Sequence, residues 1–152
     1  VYDPYVNAEE IKKSGAIHLE NYLDKLSEMD AISLHCPKNK ETTDMFSDKE
    51  FNIMKHSSYL INCARGGIVN EKALYDALTS NKIRGAGLDV YDDEPSTSSN
   101  PLFSLDNILL SPHIAGVTQE ATIRMSKQSA QNVLDVFDDK VNSEVIINKN
   151  VL

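Results

Sequence analysis

Short apolar runs alternate along the chain with segments whose apolar residues recur at helical spacing. The runs at 31–36, 58–64, 83–90 and 107–111 predict β-strands. The first is stopped by Pro37, the second is closed by Gly66 and Gly67, and the third is rich in small residues. Residues 1–3 and 16–19 are weaker runs of the same kind, and 143–147 reads as a closing extended segment. Helices are predicted between these runs. Asn7, with Glu10 three residues on, opens a helix over 7–13 that carries Lys12 and Lys13 in its last turn and Gly15 just beyond. Residues 21–29 place Leu23, Leu26 and Met29 on one face, and Ser47 with Glu50 forms a capping box ahead of Phe51, Ile53 and Met54. Residues 71–79 turn Leu74, Ala77 and Leu78 inward, and 118–138 is a long amphipathic helix with Asp135, Asp138 and Asp139 at its end. Strand followed by helix, several times over with short connections, predicts an α/β protein with a parallel sheet. In such sheets ligands bind at the carboxyl ends of the strands.

Composition narrows this further. The chain has 152 residues, 41% of them apolar and 25% charged. That is one ordinary domain's length, enough to bury about 68–70% of the unfolded surface without covalent staples. No apolar run approaches the roughly 20 residues of a membrane span, and no basic-then-apolar leader is visible. Two cysteines, Cys36 and Cys63, make no disulfide scaffold and suit a reducing cytoplasm. Fifteen basic residues stand against 23 acidic ones, a net charge of −8, with no local basic stripe. Nucleic acid and anionic lipid are therefore not the expected partners.

Polar groups gather at the strand ends. Asp3 ends the first run, Cys36-Pro37 follows the run at 31–36, and Cys63-Ala64-Arg65-Gly66-Gly67 follows Ile61. Asp89 ends the Gly-Ala-Gly-Leu strand with Glu94 five residues later, and Ser111-Pro112-His113 follows the last strand. Carboxylates, an arginine and a histidine at one rim make an acid–base constellation. Each residue also has a plainer reading. Arg65 before two glycines fits a surface turn, Glu94 in Asp92-Asp93-Glu94 fits a solvated acidic loop, and His113 fits a loop histidine bonded to backbone. Cys63 fits a small core residue better than a nucleophile. His18, His35 and His56 lack metal-ligand spacing, so no metal is assigned.

Longer motifs separate these readings. The stretch from Asn62-Cys63-Ala64-Arg65-Gly66-Gly67-Ile68-Val69-Asn70 to Leu74 resembles the signature of the D-isomer-specific 2-hydroxyacid dehydrogenases. Gly87-Leu88-Asp89-Val90-Tyr91-x-x-Glu94-Pro95, the block from Asn107 to Pro112-His113-Ile114-Ala115-Gly116, and His35-Cys36-Pro37 with Thr42 resemble its other blocks, in the same order. The resemblance implies a Rossmann-type parallel sheet. It also marks a departure, since the family's first strand and G-x-G-x-x-G loop would stand upstream of Asp3. The chain is then expected to be the C-terminal half of a two-domain enzyme of roughly 300 residues. Residues 1–116 would be a partial NAD-binding domain and 117–152 a helix and crossover returning to the substrate domain. The isolated chain is expected to be inactive.

The resemblance further implies NAD as cofactor and hydride transfer between a D-2-hydroxy acid and its 2-oxo acid. His113 would move the proton, Glu94 would support its imidazolium, and Arg65 would bind the substrate carboxylate. Asp89 would hold the nicotinamide side and Asp3 the adenosine ribose. Cys36, Pro37, Thr42, Cys63, Ala64 and Gly116 would line the cofactor cleft with Arg65 and His113. The acid at Asp3 favours NAD over NADP by repelling a 2′-phosphate. The substrate stays open among 3-phosphoglycerate, hydroxypyruvate, glyoxylate and similar acids. A homodimer is expected when the protein is full length. The alternative in the same family is an NADH-sensing corepressor, which keeps similar Arg, Glu and His residues. Glu94 stands against a formate dehydrogenase-like reading, in which glutamine replaces the acid.

Overall fold

The computed structural model describes residues 1–149. Its centre is a four-stranded, fully parallel sheet in the order β1-β2-β3-β4, with β1 at Ala31–Leu34, β2 at Tyr59–Asn62, β3 at Gly85–Leu88 and β4 at Ile108–Leu110. Neighbouring strands are neighbours in sequence, and each crossover carries helical or turn structure. α1 (Ala8–Lys13), α2 (Asp48–Ile53), α3 (Glu71–Thr79) and α4 (Gln119–Phe137) complete the regular elements, with 3-10 helices at Tyr22–Glu28, Pro101–Ser104 and Ser143–Val145.

Register explains which residues form the core. Ile32, Leu60, Ala86 and Ile108 lie level across the sheet, and Leu34, Asn62, Leu88 and Leu110 form the next row on the same face. α3 supplies Ala73, Leu74, Ala77 and Leu78 to the core, and α2 supplies Phe51. Leu60, Leu74, Ile68 and Ile83 are fully buried, each contributing roughly 1.5–3 kcal/mol relative to exposure. The ends of α3 are written into its sequence. Asn70 Oδ1 accepts the Ala73 N–H at 2.9 Å, and Asn81 takes the left-handed conformation (φ 55°) past the last turn. On the opposite face Ser33, Ile61, Gly87 and Leu109 share a row, and Leu109 is 81% exposed.

Three expectations are corrected. Residues 1–3 and 16–19 form no strand. The Val1 ammonium donates to the Ile17 carbonyl and the Leu19 N–H to the Val1 carbonyl, but this single pairing does not extend into a ladder. Residues 21–29 hold a 3-10 helix rather than an α-helix. The spacing of Leu23, Leu26 and Met29 is three, the period at which side chains eclipse on a 3-10 helix. The closing segment is not extended, because Asn142 Oδ1 accepts the Glu144 N–H at 3.0 Å and starts a turn.

The chain divides into two compact units, Val1–His113 and Ile114–Leu152. The second contains α4, opened by Thr118 Oγ1 accepting the Ala121 N–H at 3.1 Å, and none of the residues of α4 is buried. Residues 150–152 lie outside the described residues.

Candidate active site

The arginine turn is built by the residue that ends β2. Asn62 is 2% exposed, and its side chain does not point idly into the core. Its Oδ1 accepts the Ala64 N–H at 3.0 Å and its Nδ2 donates to the Arg65 carbonyl at 3.0 Å. The chain is thereby folded over so that Arg65 emerges exposed, with Nη1 donating to the Ala64 carbonyl at 2.6 Å. The two glycines are required for different reasons. A Cβ on Gly66 would lie 1.7 Å from the Tyr91 carbonyl oxygen, whereas Gly67 adopts φ +74°, which L side chains rarely take.

The strand ends beside this turn carry the acids. Asp89, just past β3, is 2% exposed and accepts a hydrogen bond from Ser111 Oγ at 2.5 Å. The following loop is braced from two sides. Glu71 accepts the Asp92 N–H at 2.8 Å through one carboxylate oxygen and Asn100 Nδ2 at 2.8 Å through the other. Glu94 Oε1 accepts the Tyr91 N–H at 2.9 Å, and Glu94 Oε2 meets His113 Nδ1 at 2.6 Å. The hydrogen bond from His113 holds the Glu94 carboxyl below its ordinary range, with the Tyr91 N–H and the Arg65 charge acting the same way. Glu94 therefore stays ionised against the imidazole at neutral pH. His113 sits at φ 55°, a left-handed conformation uncommon outside glycine that persists only where surrounding contacts hold it. Beside the pair opens a pocket of about 400 Å³ walled largely by Tyr91, Pro95, Phe103, Leu110 and Pro112.

Arg65, Glu94 and His113 are thus brought to one place in the first unit, and Asp89 joins them through Ser111. Of the other residues singled out from sequence, Cys36 and Cys63 follow the carboxyl ends of β1 and β2. Cys63 is exposed directly after β2, Ala64 is buried, and Cys36 is half-buried two residues past β1, where burial pushes its thiol up. The Thr42 hydroxyl donates to the Pro37 carbonyl at 2.7 Å and accepts the Asn39 N–H at 2.8 Å, closing that loop on itself. Asp3 does not end a strand; its Oδ1 accepts the Tyr5 N–H at 2.9 Å in a turn. Gly116 lies in the second unit and is exposed. Sequence reasoning passed over Asn62, Glu71, Tyr91 and Ser111 as working parts. Only Asn62 gave a signal, a polar residue closing an apolar strand ahead of two glycines.

Among the described residues no group of three or more His, Cys, Asp or Glu side chains could hold a metal ion, and no helix is long and apolar enough to cross a membrane.

Comparison with known proteins places this geometry. Residues 1–115 match the family model described as the D-isomer specific 2-hydroxyacid dehydrogenase, NAD binding domain. The chain is 41% identical over 128 residues to the D-3-phosphoglycerate dehydrogenase of Escherichia coli, covering 82% of this chain and 31% of that protein. It is 40% identical over 127 residues to the glyoxylate reductase of Thermofilum pendens, covering 84% and 37%. Its fold superposes on D-lactate dehydrogenase with NAD+ from Lactobacillus jensenii with a TM-score of 0.80 at 29% identity, covering 91% of this chain and 45% of that one. The chain therefore spans less than half the length of each. With a matching family model over most of its length, a parallel sheet of the same kind and the Arg-Glu-His group at its rim, the chain belongs to the D-isomer specific 2-hydroxyacid dehydrogenase family, in its NAD-binding domain.

Proposed function

We propose that this chain supplies the cofactor-binding and proton-transfer part of an NAD-dependent oxidoreductase that interconverts a D-2-hydroxy acid and its 2-oxo acid. The observation that carries the reading is the 2.6 Å contact between His113 Nδ1 and a Glu94 carboxylate held in its ionised form. A carboxylate so placed orients the imidazole and leaves its other ring nitrogen for proton transfer.

The residues divide the work. Glu94 fixes the imidazole and stabilises its protonated form, so His113 Nε2 is the atom that takes the hydroxyl proton in oxidation and returns it in reduction. Arg65 offers a planar fork for the substrate carboxylate and polarises the neighbouring carbonyl as negative charge develops on its oxygen. NAD, when bound, supplies the hydride acceptor or donor. The acceptor groups present fit it. The Asp89 carboxylate, fixed by Ser111 at the end of β3, would accept from the carboxamide, and the half-buried Asp3 would accept from ribose hydroxyls. Ala64, Cys63, Pro37, Cys36 and Thr42 would contribute walls.

The substrate belongs to the set of 3-phosphoglycerate, hydroxypyruvate, glyoxylate and related acids. The relatives described above are enzymes by name, which favours catalysis over a corepressor-like binding role. A homodimer is part of the same proposal, and a monomer by light scattering at micromolar concentration removes that part. The test of the whole reading is NADH oxidation by the full-length protein against a panel of 2-oxo acids. At least one is expected to be reduced, with Glu94→Gln shifting the apparent pKa of the kcat/KM profile downward. No turnover with any member, or superimposable profiles, overturns it.

A further inference from the structure

We infer that Tyr91 is the positioning residue that joins the proton-transfer pair to the arginine turn, acting through its phenol hydroxyl as well as its backbone. The inference rests on the proton-transfer role proposed for His113 and Glu94. Three features of one residue reach Glu94 itself, the strap that carries His113 and the turn that carries Arg65. The Tyr91 N–H donates to Glu94 Oε1 at 2.9 Å. The Tyr91 hydroxyl donates to the Ser111 carbonyl at 3.0 Å, two residues before His113. The Tyr91 carbonyl stands where a Cβ of Gly66, the residue after Arg65, would be.

A packing role alone does not account for this. The residue is 8% exposed, and its ring meets Phe103 edge-on, with centroids 5.7 Å apart and planes at 81°. Phenylalanine would fill that space. A buried hydroxyl is costly unless it finds a partner. Here the partner is the main chain of the strap Ser111-Pro112-His113, which must hold His113 in its left-handed conformation. Burial, with the charges of Asp89, Glu71 and Glu94, holds the phenol above its ordinary range, so it remains a donor through neutral pH. The charged groups facing the pair are Arg65, acting on Glu94, and Asp89 and Glu71, acting on the phenol. Tyr91→Phe removes none of them.

The test compares wild type, Tyr91→Phe and the packing control Phe103→Leu in the full-length protein. The His113 imidazole titration is followed by NMR without turnover, alongside steady-state kinetics. Tyr91→Phe is expected to move the titration midpoint in the same direction as Glu94→Gln, by less, and to lower kcat by about 3–10-fold, the scale of one neutral hydrogen bond. KM should stay within about twofold. Phe103→Leu should lower stability and leave the midpoint in place. The proposal is overturned if Tyr91→Phe leaves the midpoint unchanged, or if Phe103→Leu moves it equally. The titration is read without substrate. A protein that reduces no 2-oxo acid yet shows the Tyr91→Phe shift refutes the enzymatic reading and leaves the positioning role standing.

Discussion

The rim formed by Asn62, Arg65, Tyr91, Glu94 and His113 and the N-terminal segment carrying Asp3 look alike in sequence. Each sets a charged residue after a short apolar run. In the fold they differ. The rim is cross-braced, with Asn62 holding the arginine turn, Glu71 and Tyr91 holding the acidic loop, and Glu94 meeting His113 at 2.6 Å. Asp3 hydrogen-bonds the backbone of its own turn, and its neighbour Val1 makes one strand-like pairing with residues 17–19. A charged residue after a short apolar run is therefore not sufficient for a fixed geometry. A side chain becomes precise when the loops on both sides of it are tied to each other, which is the condition for placing reacting atoms to a fraction of an ångström.

The most direct way to break the rim is to remove the residue proposed to carry the proton. His113→Ala should lower kcat by roughly 10²–10⁴-fold, the usual share of general acid–base catalysis, with KM little changed. A loss below tenfold would mean that another group moves the proton. The next largest effect should come from a residue with no chemistry. Gly66→Ala forces a Cβ against the Tyr91 carbonyl, backbone against backbone, so the arginine turn or the acidic loop must move. The expected cost is about 1–3 kcal/mol of stability and on the order of 10² in kcat/KM. Urea denaturation and kinetics check both. An active, fully stable Gly66→Ala protein would show that the two loops are not braced against one another.

This contrast also marks how far the sequence was legible. The strands of the sheet, the caps of α1 and α2 and the stopping residues follow from local rules, because periodicity and capping act over a few residues. The proximity of Arg65, Glu94 and His113 was visible only as residues at one rim and through family resemblance. Their joining depends on Tyr91 and Ser111, 20 residues apart, and on Glu71 and Asp92, 21 apart. No local pattern encodes those contacts. The strand expected at 1–3 failed for the complementary reason. A strand is a property of a ladder, and its one pairing does not extend into one. α3 and α4 show the same limit for helices. Both are amphipathic, yet α3 buries Ala73, Leu74, Ala77 and Leu78 and α4 buries nothing. Amphipathicity shows that a face is available for burial without naming what covers it.

The N-terminal side of the comparison is sharpened by Asp3→Ala. On the proposed reading, removing the acid deletes a ribose acceptor and a like charge opposed to a 2′-phosphate. The NAD-over-NADP ratio of kcat/KM should fall by roughly tenfold, on the scale of one charge interaction near a protein surface. Thermal stability should hardly change, because the side chain's hydrogen bond is to the exposed Tyr5 backbone. An unchanged cofactor ratio would remove Asp3 from the site, and the cross-braced rim would remain unaffected.

The smallest effect separates two carboxylates within the acidic loop. Glu94 is held below its ordinary range by His113, whereas Asp92 is pushed above its own, first by partial burial and then by the charge of Glu71. The Gly67 N–H and Lys38 oppose that rise without cancelling it. For Asp92 the folded value exceeds the unfolded one, so ionisation works against folding. The cost is absent below the ordinary carboxylate range and appears as pH rises through the folded value. Asp92→Asn keeps an oxygen to accept the Gly67 N–H and removes the charge. It should equal or exceed wild-type stability at pH 7, by no more than about 0.5 kcal/mol, since the site is solvent-screened. The difference should vanish near pH 3, where Asp92 is protonated in both states. Urea midpoints for the two proteins at the two pH values decide the matter. If the Asn variant is less stable at pH 7, the Asp92 charge is itself an anchor of the arginine turn through Gly67 and Lys38. The bracing of the rim would then be electrostatic where the geometry describes it as hydrogen-bonded.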